Sequence, residues 1–216
     1  TEVNGKKPIF FGLNRKNDYY AENIQNNADG GVLADLCFDD TKLSVKIPAI
    51  GSYMVSNALA AVAVGKLCGL NDEHLVKGVE AYKTGGSRAN VINTEDYKIM
   101  DDCYNANPTS VMASIDTLVN FSGRTVAILG DMKELGTNEL EMHRKTGEHA
   151  KEKGVDLVIA VGPLAKALAE GSGGKWYADI DSLLPDLKSL LKKGDTVLVK
   201  ASHSMQFERI VAFLKG

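Results

Sequence analysis

Three clusters of polar residues in this 216-residue chain carry side chains able to do chemistry. The first is Asp101-Asp102-Cys103-Tyr104-Asn105-Ala106-Asn107-Pro108. Two adjacent acids after an apolar run can hold a ribose hydroxyl or a metal, or one can cap a helix beside a solvated neighbour. Asn107 before Pro108 reads as an N-cap with proline at the first helical position, which leaves Asn105 unexplained. The second cluster is Gly130-Asp131-Met132-Lys133-Glu134-Leu135-Gly136. Glycines at both ends mark either a tight excursion near a ligand or an ordinary loop. The third is Lys200-Ala201-Ser202-His203-Ser204. A lysine followed by two serines that open a helix makes an anion pocket from hydroxyls and backbone amides, and Ser204 can also simply cap that helix. Outside these clusters, Arg88 can clamp a phosphate in a fork or sit on the surface. Asn57 is a lone polar residue in an Ala- and Val-rich stretch, with Tyr53 near the same helix start. It is either a satisfied helix residue or a contact reaching across a domain cleft. His143 is expected on or near the surface of a helix, and His74 and His149 on plain helix surfaces.

The elements that must position these residues follow from the apolar pattern. Runs at 97–101, 125–130, 156–162, 175–178 and 195–200 read as strands, and 109–120, 138–153, 163–170, 181–192 and 205–215 as helices. Regular alternation of this kind is the signature of a parallel sheet wrapped on both faces, whose strands read as continuous apolar runs. In such sheets ligands bind beyond the carboxyl ends of the strands, and all three clusters directly follow strands. Before a composition break at Thr84-Gly85-Gly86-Ser87 the pattern differs. Strands are expected at 9–13, 30–39 and 42–50, with turns at Asn26-Asn27 and Asp39-Asp40. A helix is expected from Ser52 to Leu67, and a second one, capped at Asn71-Asp72, to about Tyr82.

Composition bounds the function classes. Hydrophobic residues make up 44% and charged residues 25%, values of a globular chain with a sizeable core. The formal net charge of −3 speaks against a general nucleic-acid binder. No apolar run reaches the ~20 residues of a membrane span, so no membrane insertion is expected. Three cysteines without a C-x-x-C pattern read as reduced thiols in a cytoplasmic protein, with no zinc site and no other metal site. The start at Thr1 reads as a piece of something longer. Motifs of phosphate and acyl chemistry are absent from the chain: there is no G-x-x-x-x-G-K-[ST], no G-x-G-x-x-G after a strand, no G-x-S-x-G and no H-E-x-x-H.

The run MDDCYNANPTSVMASIDTL at 100–118 closely resembles the Mur ligase family, in its MurF branch. Four further stretches match in order: SNALAAVAVG at 56–65, Ser87-Arg88, VAILGDMKELG at 126–136 with His143, and VLVKASHSM at 197–205. The resemblance implies an α/β fold: a Rossmann-like, mostly parallel sheet with helices on both faces at 85–216. It implies that residues 1–84 are the C-terminal portion of a P-loop-type central ligase domain. The P-loop and the first, UDP-sugar-binding domain of the family have no counterpart in this sequence. The implied activity is ATP-dependent amide-bond ligation in peptidoglycan synthesis, adding D-Ala-D-Ala to UDP-MurNAc-tripeptide through an acyl phosphate. ATP and Mg2+ are the implied cofactors, bound mainly by the part not present, and this piece alone is expected to be inactive and monomeric.

The residue roles implied by the same resemblance are as follows. Asn57 matches an adenine contact, and Arg88 an arginine that reaches ATP phosphate across the cleft. Asp102, with Asp101 beside it, matches the acid near the ribose, and Tyr104, Asn105 and Asn107 continue that nucleotide side. Lys133 and Glu134 match the loop near the amine substrate, with Arg88 and Lys133 as the catalytic pair. Ser204 matches a serine near the substrate carboxylate, with Lys200 and Ser202 at the same rim. The chain departs from the family pattern at Tyr53-Met54, where His-Asn is usual, at Ser87, where Gly is usual, and at Ala201-Ser202-His203-Ser204, where Gly-Ser-Arg-Ser is usual. At the last, a titratable imidazole stands in place of a permanent cation. The competing expectation is a stand-alone, non-catalytic module that binds a dipeptide or a partner.

Overall fold

The computed structural model describes residues 2, 4–26, 31–51, 53–83, 85–86 and 90–216. Thr1, the turn residue Asn27, the strand start Gly30, the helix start Ser52, and Thr84, Ser87 and Arg88 near the junction lie outside the described residues. The chain divides into two compact units, Thr1–Lys83 and Thr84–Gly216.

In the first unit β1 (Tyr19–Asn26), β2 (Val32–Phe38) and β3 (Thr41–Ile47) form an antiparallel sheet in the order β1-β2-β3. The turn Asp39-Asp40 joins β2 to β3, with Asp39 at φ 45°, the left-handed backbone that tight hairpins favour. β3 alternates between buried Leu43, Val45 and Ile47 and exposed Lys42, Ser44 and Lys46, so one face of the sheet is apolar. That face packs on α1 (Tyr53–Leu67) and α2 (Asp72–Glu80), whose Val55, Leu59, Val62, Leu75 and Val79 join its core. Asn71 caps α2 by accepting the His74 N–H at 2.9 Å. The expected strand at 9–13 is not one. Its Phe11 makes an isolated bridge to Tyr19, and Ile9, Phe10, Phe11 and Leu13 are exposed. The strand lies at Tyr19–Asn26 instead, broken by a register shift between Glu22 and Gln25, with Asn23 at φ 52°. The shift interrupts the alternation that marks a strand in sequence.

The second unit is a six-stranded sheet in the order β4-β5-β9-β6-β7-β8. Its strands are β4 (Asn90–Asn93), β5 (Lys98–Asp101), β6 (Thr125–Gly130), β7 (Leu157–Val161), β8 (Lys175–Tyr177) and β9 (Thr196–Lys200). β5 to β9 run parallel, and β4 pairs antiparallel with β5 as an edge strand. Between them lie α3 (Pro108–Leu118), α4 (Glu139–Glu152), α5 (Ala165–Ser172) and α6 (Ile180–Leu190), and α7 (Glu208–Lys215) follows β9. One apolar cluster joins alternate strand residues such as Ile99, Val126, Ile128, Val197 and Val199 to α6 and α7 and includes no residue of α3, α4 or α5. The two groups of helices therefore cover opposite faces, as right-handed crossovers require when the chain runs out through β6, β7 and β8 and then returns to β9. On the first face Gly147 and Gly171 let α4 and α5 touch by their backbones. A Cβ at Gly147 would stand 2.1 Å from the Leu168 carbonyl, and one at Gly171 2.3 Å from that of Arg144.

The last helix starts later than the sequence reading expects. His203–Met205 is a 3-10 turn, Gln206 takes φ 54°, and α7 begins at Glu208. Ser204 therefore caps no helix, and the anion pocket of the sequence reading has no α-helix N-terminus at Ser204.

Candidate functional site

The topology places a switch point between β5 and β9. β5 feeds α3 on one face, and its neighbour β9 feeds α7 on the other, so the chain diverges at their carboxyl ends. Open parallel sheets bind ligands at such switch points. Asp101 ends β5 and Lys200 ends β9. The register pairs Asp101 with Val199, which sets Lys200 beside Asp102. Lys200 Nζ donates to Asp102 Oδ2 at 2.6 Å and to the Asn105 carbonyl at 2.9 Å, and the lysine is only 3% exposed. Ser114 of α3 donates its hydroxyl to the same Asp102 Oδ2 at 2.9 Å. Lys200 thus ties together the acid, the loop that follows it, and the end of a third segment nearly a hundred residues away. It is a buried internal cation and not an open rim contact.

The neighbouring residues complete this side. Asn107 caps α3: its side chain accepts the Ser110 N–H at 2.9 Å and Ser110 answers in a capping box, with Pro108 at the first position. Asn105 Oδ1 accepts the Ala106 N–H at 2.8 Å, which fixes the turn into the helix. Asp101 is buried, and its Oδ1 has no hydrogen-bond partner. Burial, then the Asp101 carboxylate beside it, push the Cys103 thiol far above its ordinary range, so it stays protonated. Tyr104 is half exposed, and its ring leans on His203 at 5.6 Å between centroids.

The loop after β6 is pinned at its start and open at its tip. Asp131 is fully buried; its Oδ1 accepts the Ala165 N–H at the start of α5 at 2.8 Å, and its Oδ2 accepts Lys133 Nζ at 2.7 Å. Gly162 makes this possible: a Cβ there would lie 2.4 Å from Asp131 Oδ1, at a backbone φ of 117°. Ser202 is buried, donates its N–H to the Asp131 carbonyl at 3.1 Å and accepts the Lys133 N–H on its hydroxyl at 2.9 Å. Glu134 is exposed and sits at φ 65°, a left-handed conformation uncommon for a residue with a side chain. His203 and Ser204 are exposed on the adjoining 3-10 turn.

The structure thus brings Asp102, Asn105 and Lys200 into one bonded group and Asp131, Lys133 and Ser202 into another, both at the carboxyl edge of one sheet. Asn57 belongs to the first unit. It is exposed on α1 and lines a mostly apolar cavity of ≈360 Å³ with Met54, Ala61, His74, Leu75 and Tyr82. Tyr53 stands at the first position of the same helix. Among the described residues no group of three or more His, Cys, Asp or Glu gathers to hold a metal. Nor is any helix of the described residues long and apolar enough to cross a membrane.

Three residues outside the sequence-based candidates matter here: Ser114, Gly162 and His143. His143, expected near the surface, is fully buried. Its Nε2 accepts the Met132 N–H at 2.9 Å, and Nδ1 lies 2.7 Å from the Glu139 carbonyl. Its spacing held the signal. His143, Thr146, Gly147 and Ala150 fall at i, i+3, i+4 and i+7, the buried face of α4.

Comparison with known proteins adds a second line of observation. Residues 87–203 match the family described as Mur ligase, glutamate ligase domain, and residues 1–65 match the Mur ligase middle domain. The UDP-N-acetylmuramoyl-tripeptide--D-alanyl-D-alanine ligase of Bacillus subtilis is 32% identical over 211 residues, 93% of this chain and 46% of that protein. The crystal structure of MurF from Acinetobacter baumannii superposes with a TM-score of 0.89 at 31% identity, covering 96% of this chain and 46% of that one. The MurF ligase of Thermotoga maritima, solved in complex with ADP, gives 0.82 at 27% identity, over 96% of this chain and 48% of that one. The chain spans about half the length of the relatives it matches.

Proposed function

The chain belongs to the Mur ligase family, and on that premise we propose that it is the C-terminal half of an ATP-dependent ligase that joins D-Ala-D-Ala to UDP-MurNAc-tripeptide in peptidoglycan synthesis. The observation that carries the proposal is the match to a ligase of that name along 93% of the chain. We assign the protein to the cytoplasm and read it as a monomer.

ATP, when bound, supplies the phosphoryl group that activates a carboxylate as an acyl phosphate. The residues present fit a nucleotide. In the first unit, the apolar cavity with Asn57 on its wall suits a flat base with a polar edge. In the second, Asp102 is held rigid by Lys200 and Ser114, and Asp101 keeps one buried oxygen unpartnered, a place for a hydroxyl donor. Tyr104, Asn105 and Asn107 follow on the same loop and are assigned to the nucleotide side. Arg88 is assigned to phosphate. Magnesium is assigned mainly to the remainder of the enzyme, as the family resemblance implies.

On the other loop, Lys133 and Glu134 are assigned to the amine substrate. Lys133 Nζ rests on Asp131 and remains 40% exposed, so it can hold charge at the loop's edge. Ser204, with Ser202 behind it, is assigned to the substrate carboxylate. Lys200 serves this rim only through the groups it binds. The protein's part in catalysis is then positioning and charge stabilisation, with little covalent work.

The test is ligation by the complete protein that contains this chain, with D-Ala-D-Ala or meso-diaminopimelate offered as the amine. Amide formation and phosphate release with D-Ala-D-Ala support the proposal, and preference for meso-diaminopimelate refutes it. The 216-residue piece, which has no P-loop sequence, is expected to show no ligation on its own; turnover by it would refute that part.

A further inference from the structure

We infer that His143 is a positioning residue for the loop that carries Lys133 and Glu134; the inference rests on the assignment of that loop to the amine substrate. The loop leaves a fully buried strand, β6, and reaches the surface within four residues. Its start is held from three directions. Ser202 of the β9 loop binds both the Asp131 carbonyl and the Lys133 N–H. The first residue of α5, Ala165, holds the Asp131 carboxylate. His143, from α4, holds the amide between them, that of Met132.

The hydrogen-bond roles of His143 are settled by its partners. The Met132 amide is a donor, so Nε2 accepts with its lone pair. The ring proton therefore sits on Nδ1 and is donated to the Glu139 carbonyl. Both ring nitrogens serve backbone groups, and the ring is fully buried. Such an imidazole takes no ligand. What it controls is the place of the Met132 amide, one residue before Lys133.

Without the acceptor, the Met132 N–H is buried and unpaired. Turning it toward water moves the next residue with it, since consecutive Cα atoms are linked at a fixed ~3.8 Å. A displaced Lys133 and Glu134 contact the amine substrate less well, which weakens its binding. The effect is expected on the amine side, because His143 bonds Met132 and Glu139 whereas Lys200 bonds Asp102 and Asn105.

The experiment uses three variants of the complete ligase. His143→Leu fills the space without an acceptor. His143→Asn is polar but too short to reach Met132. His143→Gln returns an amide oxygen to about the place of Nε2. We expect KM for D-Ala-D-Ala to rise roughly tenfold in the Leu and Asn variants, KM for ATP to stay within about twofold, and the Gln variant to recover most of the loss. Equal rises in both constants, no rise, or no recovery with Gln would overturn the inference. Amide exchange of Met132 and Lys133 is read in parallel on the same proteins. If the wild-type protein does not use D-Ala-D-Ala, the functional assignment fails and the exchange data decide the positioning alone. Selective acceleration at those two amides in the Leu or Asn variant supports it, and unchanged exchange in both overturns it.

Discussion

Replacing Lys200 by methionine tests whether the switch point between β5 and β9 is built on a buried ion pair. The ammonium stands 2.6 Å from Asp102 Oδ2, which at an effective dielectric of 20 corresponds to a Coulomb attraction of about 6 kcal/mol. Most of that attraction is offset by the desolvation of two ions, so the pair itself adds little net stability. Removing one partner is different, because Asp102 then stays buried without the cation that stood 2.6 Å away, while Ser114 still donates to it. Such a loss costs about 3–5 kcal/mol. The Asn105 carbonyl also loses its donor, which adds about 1 kcal/mol. We therefore expect Lys200→Met to destabilise the second unit by about 4–6 kcal/mol. Trp176, the sole tryptophan, lies in that unit, so its fluorescence in a urea titration reports the right transition. With a slope of about 2 kcal/mol/M, the midpoint falls by roughly 2–3 M. The double variant Lys200→Met with Asp102→Asn keeps an acceptor for Ser114 and removes the buried carboxylate, and its midpoint should recover at least half of the fall. A fall below about 0.5 M in the single variant, or a double variant no better than the single one, would refute the reasoning.

Other outcomes follow from the same geometry. Gly162→Ala forces a methyl to within van der Waals overlap of Asp131 Oδ1 at a backbone φ of 117°, and should cost more than about 2 kcal/mol in the same urea titration. Asp156 is held below the ordinary carboxylate range first by the Thr125 N–H and then by the Thr125 hydroxyl. Its depressed value gives stability that is present above about pH 4 and lost as pH falls through the folded-state value. The melting-temperature gap between wild type and Asp156→Asn should therefore shrink on acidification below pH 4; a gap constant from pH 2 to 7 contradicts this. Cys103 and Cys37 are buried with raised thiol values, whereas Cys68 is exposed. Native protein at pH 8 should therefore give one fast-reacting thiol toward a disulfide reagent and three after denaturation.

The second unit was legible where burial leaves a simple mark. β6, β7 and β9 are short apolar runs because parallel strands covered on both faces have no polar side to show, whereas the edge strand β8 is largely exposed. Asn107-Pro108 announced its helix because capping is a local interaction between a side chain and an amide three residues on. Elements with a weaker mark went unseen. β4 is four residues long with asparagine at both ends, and β1 is interrupted by its register shift. The apolar run at 9–13 reads as a strand, but its Ile9, Phe10, Phe11 and Leu13 are exposed beside a single isolated bridge. His143 was misplaced although its helical spacing pointed inward, because a histidine at a buried position is acceptable only if both ring nitrogens find partners. One of those partners, the Met132 amide, lies in a different element.

By itself the sequence determined where β5, β6 and β9 end, hence that Asp102, Lys133 and Ser202 follow strand ends, and its ordered motifs determined the family. Strand order and register were decided only in the tertiary structure. β9, the last strand in sequence, inserts between β5 and β6, and this alone brings Lys200 to Asp102 and Ser202 to Lys133. Those contacts span 98 and 69 residues of chain. No local periodicity encodes them, because pairing between distant strands is chosen by how the whole set of apolar faces is buried at once, and the polar groups at the strand ends then take whichever partners that choice provides.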